Sequence, residues 1–161
     1  MMSISHDDRG EITYRPIGVI HSLIKRPEKA PRQAADCGVE GWIEIFPEYL
    51  KGLKDLEGFS HVFLIYCFHL CRNFSLRVKP RMDRKMRGIF ATRSPERPNP
   101  IGLSLVQLKE IKGNIILIRD IDAIDETPLL DIKPFVPTFD SRKRVKVGWL
   151  LERDPDFFEK G

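Results

Sequence analysis

The chain has 161 residues, 42% of them hydrophobic and 31% charged, with a formal net charge of +4. That is enough chain for one domain around a single core, and too apolar for a disordered one. No run approaches the roughly 20 apolar residues of a membrane span, the polar start MMSISHDDRGEITY is not a secretory signal, and three cysteines make no disulfide framework, so a reducing, cytoplasmic setting is expected.

Residues 1–13 read as a flexible N-terminus, 14–151 as the folded domain and 152–161 as a charged C-terminal tail. Tyr14 to Ser22 reads as a strand, with Pro16 near its start where a missing N–H is tolerated. Leu23 to Cys37 is polar, contains proline and has no helical period, so a long loop is expected. Val39 to Phe46 alternates, with Val39, Gly41, Ile43 and Ile45 on one face. Pro47 to Leu53 reads as a short helix opening on proline. His61 to Leu70, HVFLIYCFHL, has almost no polar side, and a strand buried on both faces fits it best. Ser75 to Lys79 and Gly88 to Thr92 are expected as short strands. Leu103 to Ile111 and Ile115 to Ile121 flank Lys112-Gly113-Asn114, a hairpin signal. Leu129 to Phe135 and Arg144 to Leu150 complete about eight short strands. With one or two short helices, that pattern predicts an all-β fold, a barrel or a sandwich.

The nucleotide loops G-x-G-x-x-G and G-x-x-x-x-G-K-[ST] are absent, as are H-E-x-x-H, C-x-x-C and G-x-S-x-G. Cys67, His69 and Cys71 alternate, but the outer pair would lie roughly 13 Å apart on a strand. Zinc–sulfur bonds of about 2.3 Å do not bridge that, so no metal is expected. His69 reads either as a satisfied core histidine or as a functional group closing an apolar strand.

Charge is unevenly placed. Arg72, Arg77, Lys79, Arg81, Arg84, Lys85, Arg87, Arg93 and Arg97 face only Asp83 and Glu96 between positions 72 and 97. Such a basic block points to an anionic partner, RNA first, or else to a solvated loop. Within it, GIFATRSPERPNPIGLS (88–104) sets Arg93 and Arg97 among Pro95, Pro98 and Pro100. Prolines stiffen the loop, so a guanidinium there is presented with little entropy left to lose. In IDAIDETPLLDIKPF (121–135), Asp122, Asp125, Glu126 and Asp131 gather four carboxylates. They suit ribose hydroxyls or an ammonium, although Asp131 and Lys133 share a strand face and would also pair. Pro31-Arg32-Gln33 adds another arginine in the long loop. Three loops could thus enclose a small ligand.

Together these stretches, with Ile17 to Ser22 and Leu56 to His69, resemble the TsaA-like family, also known as TrmO. Its members are S-adenosylmethionine-dependent methyltransferases acting on tRNA. The resemblance implies a small closed β-barrel without a Rossmann core, working as a homodimer. It implies methyl transfer to N6 of threonylcarbamoyl-adenosine, next to the anticodon at position 37. Cofactor contacts are carried onto Pro31, Arg32, Gln33, His69, Leu70, Arg93, Leu103, Asp125, Glu126, Thr127 and Pro128. RNA contacts are expected from Arg72, Arg77, Lys79, Arg81, Arg84, Lys85, Arg87 and Arg97. The acceptor nitrogen holds its proton tightly, so a base helps; Asp131 or Asp125 is expected, with His69 a third candidate. Two departures stand out: Glu126 replaces the family's usual glycine, so a left-handed turn there would need reshaping, and longer bacterial relatives carry a further C-terminal domain. Competing readings are the same barrel acting on another acceptor, an RNA-binding barrel without chemistry, and a dimer that senses the cofactor.

Overall fold

The computed structural model describes residues 10–31, 37–81 and 83–153. Six strands close a barrel: β1 (Gly18–Ser22), β2 (Glu40–Ile45), β3 (His61–Cys67), β6 (Ile101–Lys112), β7 (Ile115–Arg119) and β8 (Thr127–Pro134). Their order around the wall is β1-β2-β7-β6-β3-β8, every neighbouring pair antiparallel, with β8 returning to β1. Two-residue strands β4 (Arg77–Val78) and β5 (Arg87–Gly88) form a separate ribbon.

Alternation decides which side chains fill the barrel. Ile20, Ile43, Ile45, Val62, Leu64, Val106, Ile116, Ile118 and Leu129 point inward and are almost wholly buried. Each contributes roughly 1.5–3 kcal/mol relative to exposure. One extra residue on β8, Leu130 opposite Ile65/Tyr66, and one on β6, Lys109 beside Leu108/Glu110, interrupt the ladders. Such bulges bend strands, as closure requires. The β6–β7 hairpin turns through Gly113 and Asn114, and Gly113 alone takes a positive φ, 61°. That is the type II′ pattern.

Several expected strands are shorter or absent. The first begins at Gly18, not Tyr14, although the Ile17 amide already bonds Leu129 O at 2.8 Å. The His61 strand stops at Cys67, because the His69 amide turns back onto Cys67 O at 2.8 Å. Its inner face is buried but its outer face only half so, with Phe63 meeting Phe135 edge-on at 5.6 Å. Gly88 to Thr92 is not a strand. Ile89 turns inward to begin a 3-10 turn, closed by the Thr92 amide on Ile89 O. Arg144 to Leu150 is not a strand either. Positive φ at Arg144 and Gly148 turns the chain, and α2 (Trp149–Arg153) follows α1 (Pro137–Asp140). Pro47–Leu53 is a 3-10 helix, as proline at its first turn allows.

Candidate functional site

Antiparallel pairing around the whole wall means β1, β3 and β7 run one way and β2, β6 and β8 the other. Chain leaving β1, β3 and β7 therefore emerges at a single end of the barrel, the upper end. The connections there are 23–39, 68–100 and 120–126. They are the three loops in which sequence reading placed the chemistry. The lower end carries 46–60 and the 113–114 turn.

The connection 120–126 is bonded along its length. Asp120 Oδ1 accepts from the Gly38 amide at 2.8 Å. Asp122 Oδ1 accepts from Ser104 Oγ at 2.5 Å. Ala123 O accepts from the buried Ser22 hydroxyl, and Ile124 O from Thr127 Oγ1, at 2.8 and 2.7 Å. Asp125 Oδ1 accepts from the Ser22 amide at 3.1 Å, while Lys25 Nζ meets Oδ2. Glu126 stands at φ 63°. The turn needs left-handed geometry there and the glutamate adopts it, about 1–2 kcal/mol less favourable than a right-handed L-residue.

This places two carboxylates in opposite surroundings. Asp125 looks outward, with His21 Nδ1 3.4 Å from it and His21 stacked on Trp42 at 5.1 Å. Burial works to raise its pKa, but Lys25, the Ser22 amide and His21 together outweigh it and hold the carboxyl below its ordinary range. Asp122 looks into the barrel mouth. Ser104 Oγ is also 2.9 Å from the buried Tyr66 hydroxyl. The serine's one proton goes to the carboxylate, so Tyr66 donates to Ser104. Burial pushes Asp122 up and pushes the Tyr66 phenol well up.

Asp131 lies mid-strand on the outer wall, 46% exposed, its Oδ2 2.8 Å from Lys133 Nζ. It shares an outward row with Ile65 and Leu103 across β8, β3 and β6. Leu103 and Leu70 are exposed near the upper end. Thr127 Oγ1 lies 3.5 Å from His69 Nδ1, joining the second connection to the start of β8, where Pro128 follows. Pro31 is half-buried, whereas Arg32 and Gln33 fall outside the described residues. The structure thus gathers His69, Asp125, Glu126, Thr127 and Pro128 at the upper end and sets Asp131 on the wall.

The arginines divide by what they touch. Arg97 Nη1 donates to three carbonyls of its own loop: Ile89 O (3.2 Å), Thr92 O (2.8 Å) and Ser94 O (3.3 Å). Arg87 bonds Asp83 at 2.6 Å, reaches Glu152 at 3.5 Å and covers the Trp149 ring. Arg81 donates to Pro27 O. Arg72, Arg77, Lys79, Arg84 and Lys85 are exposed. Arg93 is exposed and makes no ion pair among the described residues, although its charge is felt by Asp122 and Tyr66. A groove of about 370 Å³ on the 68–100 connection is lined by Leu70, Arg72, Phe74 and Glu96, among others.

Sequence reading did not single out Tyr66, Ser104 or Lys25. For the first two a signal existed. Each is a polar residue at an inward position of an otherwise apolar alternation, after Val62 and Leu64 on β3 and before Val106 on β6.

Residues 19–141 match the family model of the tRNA-methyltransferase O N-terminal domain. A probable S-adenosyl-L-methionine-binding protein of Pyrococcus abyssi is 56% identical over 150 residues, covering 92% of this chain and 81% of its own. Human tRNA (adenine(37)-N6)-methyltransferase is 36% identical, over 86% of this chain and 33% of its own. The crystal structure of TrmO from Pseudomonas aeruginosa superposes with a TM-score of 0.75 at 34% identity. That alignment covers 88% of this chain but spans only 63% of the solved one.

Proposed function

We propose that this chain, which belongs to the tRNA-methyltransferase O family, binds S-adenosylmethionine and moves its methyl group to N6 of threonylcarbamoyl-adenosine at position 37 of tRNA. The observation that carries this reading is the convergence of the connections 23–39, 68–100 and 120–126 at one end of the barrel. The residues present suit the cofactor. Arg93, without an ion-pair partner among the described residues, matches its carboxylate. The carboxylates of Asp125 and Glu126 match its cationic centres, and exposed Leu70 and Leu103 match its base.

When bound, the cofactor supplies an electrophilic methyl whose sulfur departs neutral, so the protein's task is alignment and proton removal. The stiff loop 93–100, pinned by Arg97, holds Arg93 in place. Exposed Arg72, Arg77, Lys79, Arg84 and Lys85 hold the tRNA backbone, while Arg81, Arg87 and Arg97 keep their segment in shape around them. Residues 14–151 form the working domain, in the cytoplasm. A second copy packs on the outer wall around the exposed Ile101, at the edge of the cofactor site.

Calorimetric titration with S-adenosylmethionine, with molar mass measured on the same sample, tests the cofactor and the homodimer. Transfer of a labelled methyl group to bulk tRNA, followed by nucleoside analysis, tests the reaction. One site per chain and label in N6-methylated threonylcarbamoyl-adenosine are expected. Saturable binding without transfer would leave a binding module, and label in another nucleoside would change the acceptor. Absence of binding even with tRNA present would overturn the reading.

A further inference from the structure

Of the carboxylates brought to the upper end or to the wall below it, Asp125 is paired with Lys25 and Asp131 with Lys133. Asp122 has no ion-pair partner among the described residues. Asp120 and Glu126 on the same connection also lack one, but Asp122 alone among the described carboxylates accepts from a hydroxyl buried in the barrel wall. Two hydroxyls fix its direction: Tyr66 donates to Ser104, and Ser104 donates to Asp122 Oδ1. Both hydroxyls belong to buried residues on strands, so the orientation is set by the rigid wall and not by a loop.

We propose that Asp122 is the base of the methyl transfer, taking the proton from the acceptor nitrogen, with Ser104 and Tyr66 as its positioning residues. This rests on the methyltransferase reading above. The step balances. The nitrogen lone pair forms the new N–C bond, and the S–C pair returns to sulfur, which becomes a neutral thioether. The N–H proton passes to Asp122. The groups that bear on Asp122 are Tyr66 from β3, Ser104 from β6, Arg93 from 68–100 and Cys37 from 23–39. Burial is the largest influence and makes the carboxylate a stronger base, while the Ser104 bond and the Arg93 charge hold that in check. Asp125, held low by Lys25, is the weaker base of the two.

The experiment compares Asp122→Asn, Asp125→Asn and Asp131→Asn in single-turnover methyl transfer to tRNA bearing threonylcarbamoyl-adenosine, with cofactor affinity measured by calorimetry. Asp122→Asn is expected to lose 100-fold or more in rate while its cofactor affinity stays within about threefold. Ser104→Ala provides a second, independent reading. Losing a donor to the ionised carboxylate moves the rising limb of the pH–rate profile to higher pH, which a merely structural serine would not do. A rate within a few-fold of wild type for Asp122→Asn overturns the proposal, and so does loss of cofactor binding with the fold intact, since Asp122 would then be a ligand. An unmoved profile in Ser104→Ala overturns the positioning roles. If wild type itself transfers no methyl group, the methyltransferase reading fails and the proposal with it.

Discussion

Asp122 and Asp125 lie three residues apart on one connection, yet they face opposite sides of it. On the inner side, Asp122 meets the Ser104 hydroxyl, itself bonded by Tyr66, and no cation within ion-pair distance among the described residues. On the outer side, Asp125 meets a lysine, a histidine and a backbone amide. The same functional group is pushed up on one side and down on the other. A short, fully bonded connection can therefore present two carboxylates of different basicity without moving. Pairs whose surroundings push their pKa values apart are where acid–base roles divide.

The sharpest way to break this contrast is from the inner side. A Cβ at Gly102 would lie 2.2 Å from Cε2 of Tyr66, whose ring covers that glycine across the β3–β6 pair. Gly102→Ala should cost about 1–3 kcal/mol by overpacking, read by denaturant unfolding. A change under about 0.5 kcal/mol would mean that the ring slides aside and that the inner carboxylate is not rigidly held.

Next in size is the pH dependence of stability, where the two sides predict opposite signs. Asp122, raised in the fold, contributes stability that is present below its ordinary value of 3.8 and lost as pH rises through its folded value. Asp125, lowered in the fold, contributes stability present above 3.8 and lost as pH falls through its folded value. The wild-type minus Asp122→Asn difference should decline with rising pH. The Asp125→Asn difference should decline with falling pH, by about 1 kcal/mol or less for so accessible a pair. Unfolding curves from pH 3 to pH 8 (a range set roughly by these carboxylates) would show it, and two differences of the same sign would erase the contrast.

The smallest effect belongs to the hinge between the two sides and β8. Glu126→Gly relieves left-handed strain and gives back part of the gain in unfolded-chain entropy. A stabilisation of at most about 1 kcal/mol is expected, measured as a rise in Tm. A loss of stability would show that the glutamate side chain is itself holding the turn.

Much of the barrel was legible. Alternation at Gly41, Ile43 and Ile45 named a strand and its inner face, the glycine at Gly113 named a hairpin turn, and the apolar run from His61 named a strand without telling its two faces apart. Strand order was not. β3 pairs β6 across the long 68–100 connection, and β1 pairs β8 across nearly the whole domain, choices that no local pattern encodes. Arg144 to Leu150 shows the converse failure. Val145 and Val147 alternate with charge as a strand would, but a wall closed by β1 and β8 offers no neighbour to pair with, so the chain turns and coils. At the site, the arginines and carboxylates were visible as residue types. Which of them are spent on carbonyls, as Arg97 is, depends on where a loop folds back on itself. Asp122 was counted among the four acids, but its inward direction comes from Tyr66 and Ser104, which meet it only once the strands are paired.

The closed wall also limits how anything can join this molecule. A strand with an unpaired edge can recruit another strand through main-chain hydrogen bonds, and such addition is indifferent to much of the side-chain sequence. Among the described residues the six barrel strands have no such edge, and β4 and β5 expose edges only two residues long. A second copy or a folded RNA must therefore be recognised through side chains and loops. Specificity for any partner is then written in residues that single substitutions can rewrite, while the ladder beneath them stays intact.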